Sequence, residues 1–339
     1  MSFHDLPIEL CTKIMRDLAS QGNLKSLSSL SETCWSLYHA GNPILYEWNI
    51  EHQECSGFKW AVSNDQVNTL KKFLQYGVPV NYSLRYREGQ RDELMAPLWL
   101  AARHGSIEVV RHFFTLPDVD WNWASEDFHD TPLHVAIESG HTDLALLLLS
   151  HQEVLVNAED GAGWTPFIYA VSEGDEALVK HLLSINSVDP DHRTRTGKSA
   201  LFIAADWGRS TDIVKLLLDT GRVDVNFVSL ETLDTPLIAA KRPDVVKLLV
   251  EHPDIDVNFA PTGNAAPITI AAEEGRLEIV KILLTHPDID PDGSEYFSEA
   301  PILRAAEEGH EEVVSVLLAD DRLGQESRRL LAKRYPQFL

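Results

Sequence analysis

The sequence predicts an all-α fold: a solenoid of helix–turn–helix units joined by β-turn fingers, preceded by a small, separate helical module. Three observations carry that prediction. A four-residue motif returns as Ala96-Pro97-Leu98-Trp99, Thr131-Pro132-Leu133-His134, Thr165-Pro166-Phe167-Ile168, Ser199-Ala200-Leu201-Phe202, Thr235-Pro236-Leu237-Ile238, Ala266-Pro267-Ile268-Thr269 and Ala300-Pro301-Ile302-Leu303, in steps of 35, 34, 34, 36, 31 and 34 residues. A glycine follows at a fixed offset in six of these units, as Gly105, Gly140, Gly174, Gly208, Gly275 and Gly309. The apolar residues between them recur at helical spacing and not in alternation. A beat of this length marks units that bury their apolar faces only against their neighbours, and such arrays work by presenting a long concave surface.

Within a unit the elements follow from local chemistry. Thr131 can cap a helix through its hydroxyl, and Pro132 suits the first helical position, where its missing N–H costs nothing. Leu133, Val135, Ala136 and Ile137 make a short apolar helix, which Gly140 can end in the left-handed conformation. Thr142-Asp143 opens a second helix whose apolar run is Leu144 to Leu149, and a loop near Val156-Asn157 leads onward.

These units resemble ankyrin repeats, whose signature T-P-L-H-x-A is matched by Thr131-Pro132-Leu133-His134-Val135-Ala136. The resemblance covers roughly residues 57–320. With Phe58-Lys59-Trp60-Ala61-Val62 and Val67 to Leu74 read as a degenerate first repeat, it implies eight units. Two departures stand out. A long loop, Asn81 to Leu94, separates the first two units and carries Arg85, Arg87 and Arg91. The Pro236 unit is three residues short between its helices and has no glycine, so the stacking is expected to kink there and to divide the array.

Residues 3–48 do not share the beat. Leu6, Pro7, Ile8, Leu10, Ile14, Leu18, Leu24, Leu27, Leu30, Cys34, Leu37 and Tyr46 fall on three short stretches of helical spacing, broken at Gln21-Gly22-Asn23 and at Gly41-Asn42-Pro43. A module this small needs a partner or packing against the first repeat. It resembles an F-box in Leu6-Pro7-x-Glu9, in Ile14 and Leu18, and in the Leu27, Leu30 and Cys34 series. Trp35 and Ser36 depart from the basic residue that often follows the cysteine. The resemblance implies docking to the Skp1 adaptor of a cullin–RING ubiquitin ligase, with Leu6, Pro7, Leu10, Ile14, Leu27 and Leu30 as the apolar contact. The competing reading is that these residues are simply the module's own core, and both can hold where a small helical module leaves part of its apolar stripe for a partner helix. The expected organisation is a module at 1–50, the array at 51–320, and a capping tail at 321–339 whose basic residues are Arg328, Arg329, Lys333 and Arg334.

Composition narrows the partners. With 52 acidic against 29 basic residues the formal net charge is −23, which disfavours nucleic acid and anionic membranes and permits a basic partner. Cys11, Cys34 and Cys55 form neither a disulfide framework nor a zinc-like pair, so cytosol or nucleus is the expected compartment. No signal peptide, membrane span or lipidation motif is read from the chain.

The ankyrin resemblance places binding residues on the concave side. The pairs before each glycine are Arg103-His104, Glu138-Ser139, Ser172-Glu173, Asp206-Trp207, Glu273-Glu274 and Glu307-Glu308. The turn-side positions are Glu93, Met95, Phe128, Asp130, Trp164, Lys198, Asp234, Phe297 and Glu299. The second half of this surface is acidic and the first half aromatic, so the expected partner is a protein with a basic and an apolar segment. The glutamates are also what a plain solvated face carries, and Trp99 reads as core, whereas Trp164 and Trp207 read as contacts. No catalytic motif is credible. Gly197-Lys198-Ser199 lacks the earlier glycine of a phosphate loop, since His192 stands there. His134, His252 and His286 fall at repeat positions and do not read as metal ligands. The expectation is a non-enzymatic adaptor without cofactor or metal. A plain scaffold with an N-terminal cap and a small-molecule binder or enzyme using the tryptophan-rich half are the alternatives.

Overall fold

The computed structural model describes residues 55–338 except 89–90, 262–264 and 294–299, together with Lys13, Asp17 and Tyr46; for residues 87, 88, 91 and 92 it describes the backbone alone. The chain divides into two compact units, Met1–Leu155 and Val156–Leu339. The division therefore falls after the third repeat and not at the short Pro236 unit. The adaptor-contact residues Leu6, Pro7, Leu10, Ile14, Leu27 and Leu30 lie outside the described residues.

In the first unit, helix pairs α1 (Ser56–Ser63) and α2 (Val67–Gln75), α3 (Pro97–His104) and α4 (Ile107–Phe113), and α5 (Pro132–Glu138) and α6 (Thr142–Leu149) stack in sequence order. The first helices of each pair form an inner row and the second helices an outer row. Tyr46 lies edge-on to Phe73 and stacked on Tyr76, so its ring packs against the C-terminal end of α2.

Residues 84–95 correct both the loop expectation and the all-α class. They form an antiparallel hairpin of β1 (Leu84–Glu88) and β2 (Arg91–Met95), with Leu84 paired to Met95 and Glu88 to Arg91. Leu84, Tyr86 and Met95 are buried while Arg85 and Leu94 are exposed. That is the two-residue period of a half-buried strand, and the aromatic ring of Tyr86 meets Trp99 edge-on at 5.4 Å.

The second unit continues with α7 (Pro166–Glu173) and α8 (Glu176–Leu183), α9 (Ala200–Trp207) and α10 (Thr211–Asp219), α11 (Pro236–Ala239) and α12 (Pro243–Val250), α13 (Pro267–Glu273) and α14 (Leu277–Leu284), and α15 (Pro301–Glu307) and α16 (Glu311–Ala319). A last helix, α17 (Gln325–Arg334), packs on α15 and buries Leu331. In the short repeat the inner helix is a single turn. Ala240 leaves it in the extended region and Pro243 starts α12, yet α12 still packs on both α10 and α14.

One pattern fixes every outer helix of repeats two to eight. Residues at i, i+1 and i+4 are buried: Val109, Val110 and Phe113; Leu144, Ala145 and Leu148; Leu178, Val179 and Leu182; Ile213, Val214 and Leu217; Val245, Val246 and Leu249; Ile279, Val280 and Leu283; Val313, Val314 and Leu317. Each leucine here contributes about 1.5–3 kcal/mol by leaving water. Inner-helix starts are capped where a hydroxyl is present. Thr165, Ser199 and Thr235 accept from the N–H three residues on, and His134 Nδ1 accepts from Thr131 N–H at 3.1 Å. All six motif glycines have positive φ, between 58° and 80°.

Candidate interaction surface

The loop between each outer helix and the next repeat holds the stack by a ladder of side chain to backbone bonds. In the first unit, Asn81 Nδ2 donates to Asp118 O (2.7 Å) and its Oδ1 accepts from Asp120 N–H (3.0 Å). Asn122 does the same with Glu153 O and Leu155 N–H. In the second unit, Asn226 bonds Asp254 O and Asp256 N–H, and Asn258 bonds Asp288 O and Asp290 N–H. Asn157 donates to Ser187 O.

Two rungs are aspartates, Asp191 and Asp292, which cannot donate when ionised. There the next loop carries an arginine where other repeats have Asp254 or Asp288. Arg222 donates back to Val188 O at 2.6 Å, and Arg322 donates back to Leu284 O at 2.7 Å and His286 O at 2.9 Å. The signal was present in the sequence: Asn81, Asn122, Asn157, Asp191, Asn226, Asn258 and Asp292 recur at steps of 41, 35, 34, 35, 32 and 34. The histidines His252 and His286 serve these same loops, each accepting at Nδ1 from the N–H two residues on.

A second set of bonds closes the inner-helix ends. His141 Nε2 donates to Arg103 O (3.3 Å) in the first unit; in the second, Arg242 donates to Gly208 O (2.6 Å) and His310 Nε2 to Glu273 O (3.0 Å). Each places a donor, in the case of Arg242 a cation, on the orphan carbonyls at a helix C-terminus, where the dipole favours positive charge. The close approach requires glycine: a methyl on Gly275 would lie 2.5 Å from the His310 ring, whereas one on Gly140 would meet nothing within 4 Å.

The residues expected to bind are placed as follows. In the first unit Arg103 pairs with Glu138 at 3.5 Å and also reaches Ser139, His104 is exposed, and Phe128 is exposed on its turn. Met95 and Asp130 do not belong to the surface. Both are buried, because Met95 ends β2 against the core and Asp130 accepts from the Ser125 hydroxyl and Trp99 Nε1.

In the second unit Trp164, Tyr169 and Trp207 form an aromatic strip, with Trp164 5.3 Å from Tyr169 and 5.9 Å from Trp207 between ring centres. Trp207 is 47% exposed. Asp160, itself buried, holds the strip in place: one carboxylate oxygen accepts from Ala162 and Trp164 N–H, both at 2.8 Å, and the other from the Tyr169 hydroxyl at 2.8 Å. Charges border the rings in pairs, Glu173 with Arg209 at 3.0 Å and Asp206 with Lys241 at 2.6 Å, and the Arg209 guanidinium lies 5.7 Å from the Trp207 ring centre. Lys198 pairs with Glu231 at 2.8 Å beside the exposed Leu230.

The acidity expected toward the end of the array is thus partly neutralised from within. Glu274 pairs with Arg276 and Glu307 with Arg304, while Glu273 and Glu308 remain as exposed carboxylates. Phe297 and Glu299 lie outside the described residues. Among the described residues no helix is long and apolar enough to cross a membrane.

A family model described as "Ankyrin repeats (3 copies)" matches residues 58–160, 98–191, 167–260 and 238–327, well over half of the chain. Similar curated proteins include an ankyrin repeat-containing protein of Schizosaccharomyces pombe, 34% identical over 98 residues (28% of this chain, 42% of the relative). Rabankyrin-5 of Homo sapiens is 31% identical over 132 residues (39% of this chain, 10% of the relative). Rabankyrin-5 of Mus musculus is 27% identical over 188 residues (55% of this chain, 15% of the relative). Each match spans less than half of the relative's own length. The chain belongs to the ankyrin-repeat family.

Proposed function

We propose that this ankyrin-repeat chain is a non-catalytic interaction scaffold that holds a target protein against the Trp164–Tyr169–Trp207 strip, while its N-terminal segment docks the Skp1 adaptor of a ubiquitin ligase. The observation that carries the target-binding half is the strip itself. A half-exposed tryptophan is braced by a second one, which is held by a buried carboxylate and ringed by paired charges, and binding hot spots have this make-up of rigid aromatic anchors inside a polar rim. The occupant this chemistry favours is a segment with an apolar side chain for the rings. An adjoining lysine or arginine would meet Glu173 or Asp206 by exchange with Arg209 or Lys241.

The recruitment half rests on the sequence pattern Leu6, Pro7, Leu10, Ile14, Leu27 and Leu30. Its rival is a structural cap, favoured by the packing of Tyr46 on Phe73 and Tyr76. Titration of purified Skp1 into the full chain separates the two. Binding lost in a Leu6→Ala/Pro7→Ala variant with an unchanged circular dichroism spectrum is the expected result. A folded wild-type chain that does not bind Skp1 sinks the recruitment reading and leaves the cap. The target half is tested independently through Trp207→Ala, since Trp207 lies far along the sequence from that module.

A further inference from the structure

The first unit carries a groove of opposite chemistry. It has a volume of about 450 Å³ and is lined by Ser56, Lys59, Trp60, Ser63, Asn64, Tyr86 and His104. We propose that this groove docks an acidic segment of a partner protein, a carboxylate meeting the Lys59 ammonium and a neighbouring apolar side chain covering Trp60. This goes beyond the target site on the second unit and does not depend on it.

Three observations choose this occupant. The first is charge. Among the described residues no carboxylate lines the groove, in a chain with 52 acidic and 29 basic residues. At the other glycines the preceding pair always includes an acid: Glu138, Glu173, Asp206, Glu273-Glu274 and Glu307-Glu308; here it is Arg103-His104. A basic segment would find no carboxylate to pair with among the described lining residues.

The second is the state of Lys59. Its Nζ donates to Arg85 O at 2.7 Å and sits 5.7 Å from the Tyr86 ring centre. An ammonium carries three donors, so two remain for an acceptor, and Lys59 has no ion pair with a described residue. The hairpin carbonyl and ring already hold the side chain, so less entropy is lost when a carboxylate binds. The third is Trp60, 54% exposed on the same helix at the groove wall. Beside a fixed cation, an exposed indole is an anchor for an apolar side chain.

The test uses the full chain and fluorescein-labelled peptides of about twelve residues, one built of Glu and Leu separated by Gly and Ser, and a matched one with Lys for Glu. Anisotropy is measured at about 0.15 M salt, where the chain's general negative charge is screened beyond about 8 Å. The Glu/Leu peptide should bind saturably, and Lys59→Glu and Trp60→Ala should each weaken it about tenfold or more, about 1.4 kcal/mol. Trp207→Ala should leave it unchanged, which keeps this result separate from the target site of the second unit. Thermal unfolding of each variant controls for folding; both side chains are at the surface. The proposal is overturned if wild type fails to bind the Glu/Leu peptide up to about 1 mM, if Lys59→Glu binds it as well as wild type, or if the Lys/Leu peptide binds equally and responds equally to Trp60→Ala.

Discussion

Asn226 and Asn258, on the loop edge, commit both ends of their amides to backbone groups of the next repeat. Glu173 and Asp206, at the inner-helix ends, are bonded instead to other surface side chains, Arg209 and Lys241. Both sets repeat at nearly the same interval, yet they obey different constraints. A backbone group cannot be substituted, so the loop edge repeats the same amide or replaces it in a compensated way, as at Asp191 with Arg222. A surface ion pair can be exchanged for another residue at little cost, so the inner-helix ends vary from Arg103-His104 to Asp206-Trp207. The loop edge holds the stack, and the inner-helix ends are where we propose that recognition lies.

The sharpest way to break this division is at the glycines, which belong to the stack even though they border the proposed recognition face. Gly140→Ala pays only for a left-handed backbone, about 1 kcal/mol. Gly275→Ala also drives a methyl into the His310 ring, and is expected to cost on the order of 2–3 kcal/mol in urea unfolding. Equal costs for the two would refute the close-approach argument. Next comes Asn258→Ala, which removes bonds to Asp288 O and Asp290 N–H and should cost about 2 kcal/mol, with faster amide exchange at Asp290. By contrast Lys241→Ala should cost less than about 1 kcal/mol despite its short bond to Asp206, because the pair is exposed. A Lys241 effect as large as that of Asn258 would erase the distinction.

The smallest effect is where the two regions meet. Arg242 bonds the Gly208 carbonyl and also Asp244, and hydrogen bonds from Arg242 and Thr211 hold the Asp244 carboxyl at about 2, below its usual 3.8. A depressed carboxylate stabilises the fold above its unfolded value and loses that contribution as pH falls through the folded one. The helix start at α12 should therefore weaken only between about pH 4 and 2. A carboxyl titration of Asp244 by NMR with a midpoint near 3.8 would contradict this.

How much of this was legible in the sequence depended on how local the physical demand was. The glycines, the prolines at helix starts and the i, i+1, i+4 leucines impose their geometry within a few residues, and they placed the repeats. The hairpin was missed because Leu84, Tyr86 and Met95 alternate over too short a stretch to stand out beside three arginines. The Asn ladder was missed although its period was visible, because an asparagine in a loop reads as a turn former until its distant carbonyl is known. Trp164 and Trp207 could each be suspected, but no local pattern says that residues so far apart in sequence meet at 5.9 Å. The groove at Lys59 and Trp60 was not foreseen, since one wall is the Tyr86 strand read as loop.

The most direct test of the account is the affinity of the full chain for the labelled Lys/Leu peptide, compared between wild type, Trp207→Ala and Asn258→Ala. The account predicts that Trp207→Ala weakens binding about tenfold or more while leaving stability nearly unchanged, and that Asn258→Ala does the reverse. Binding that ignores Trp207, or that falls in step with stability in both variants, would contradict the assignment of recognition to the inner-helix face.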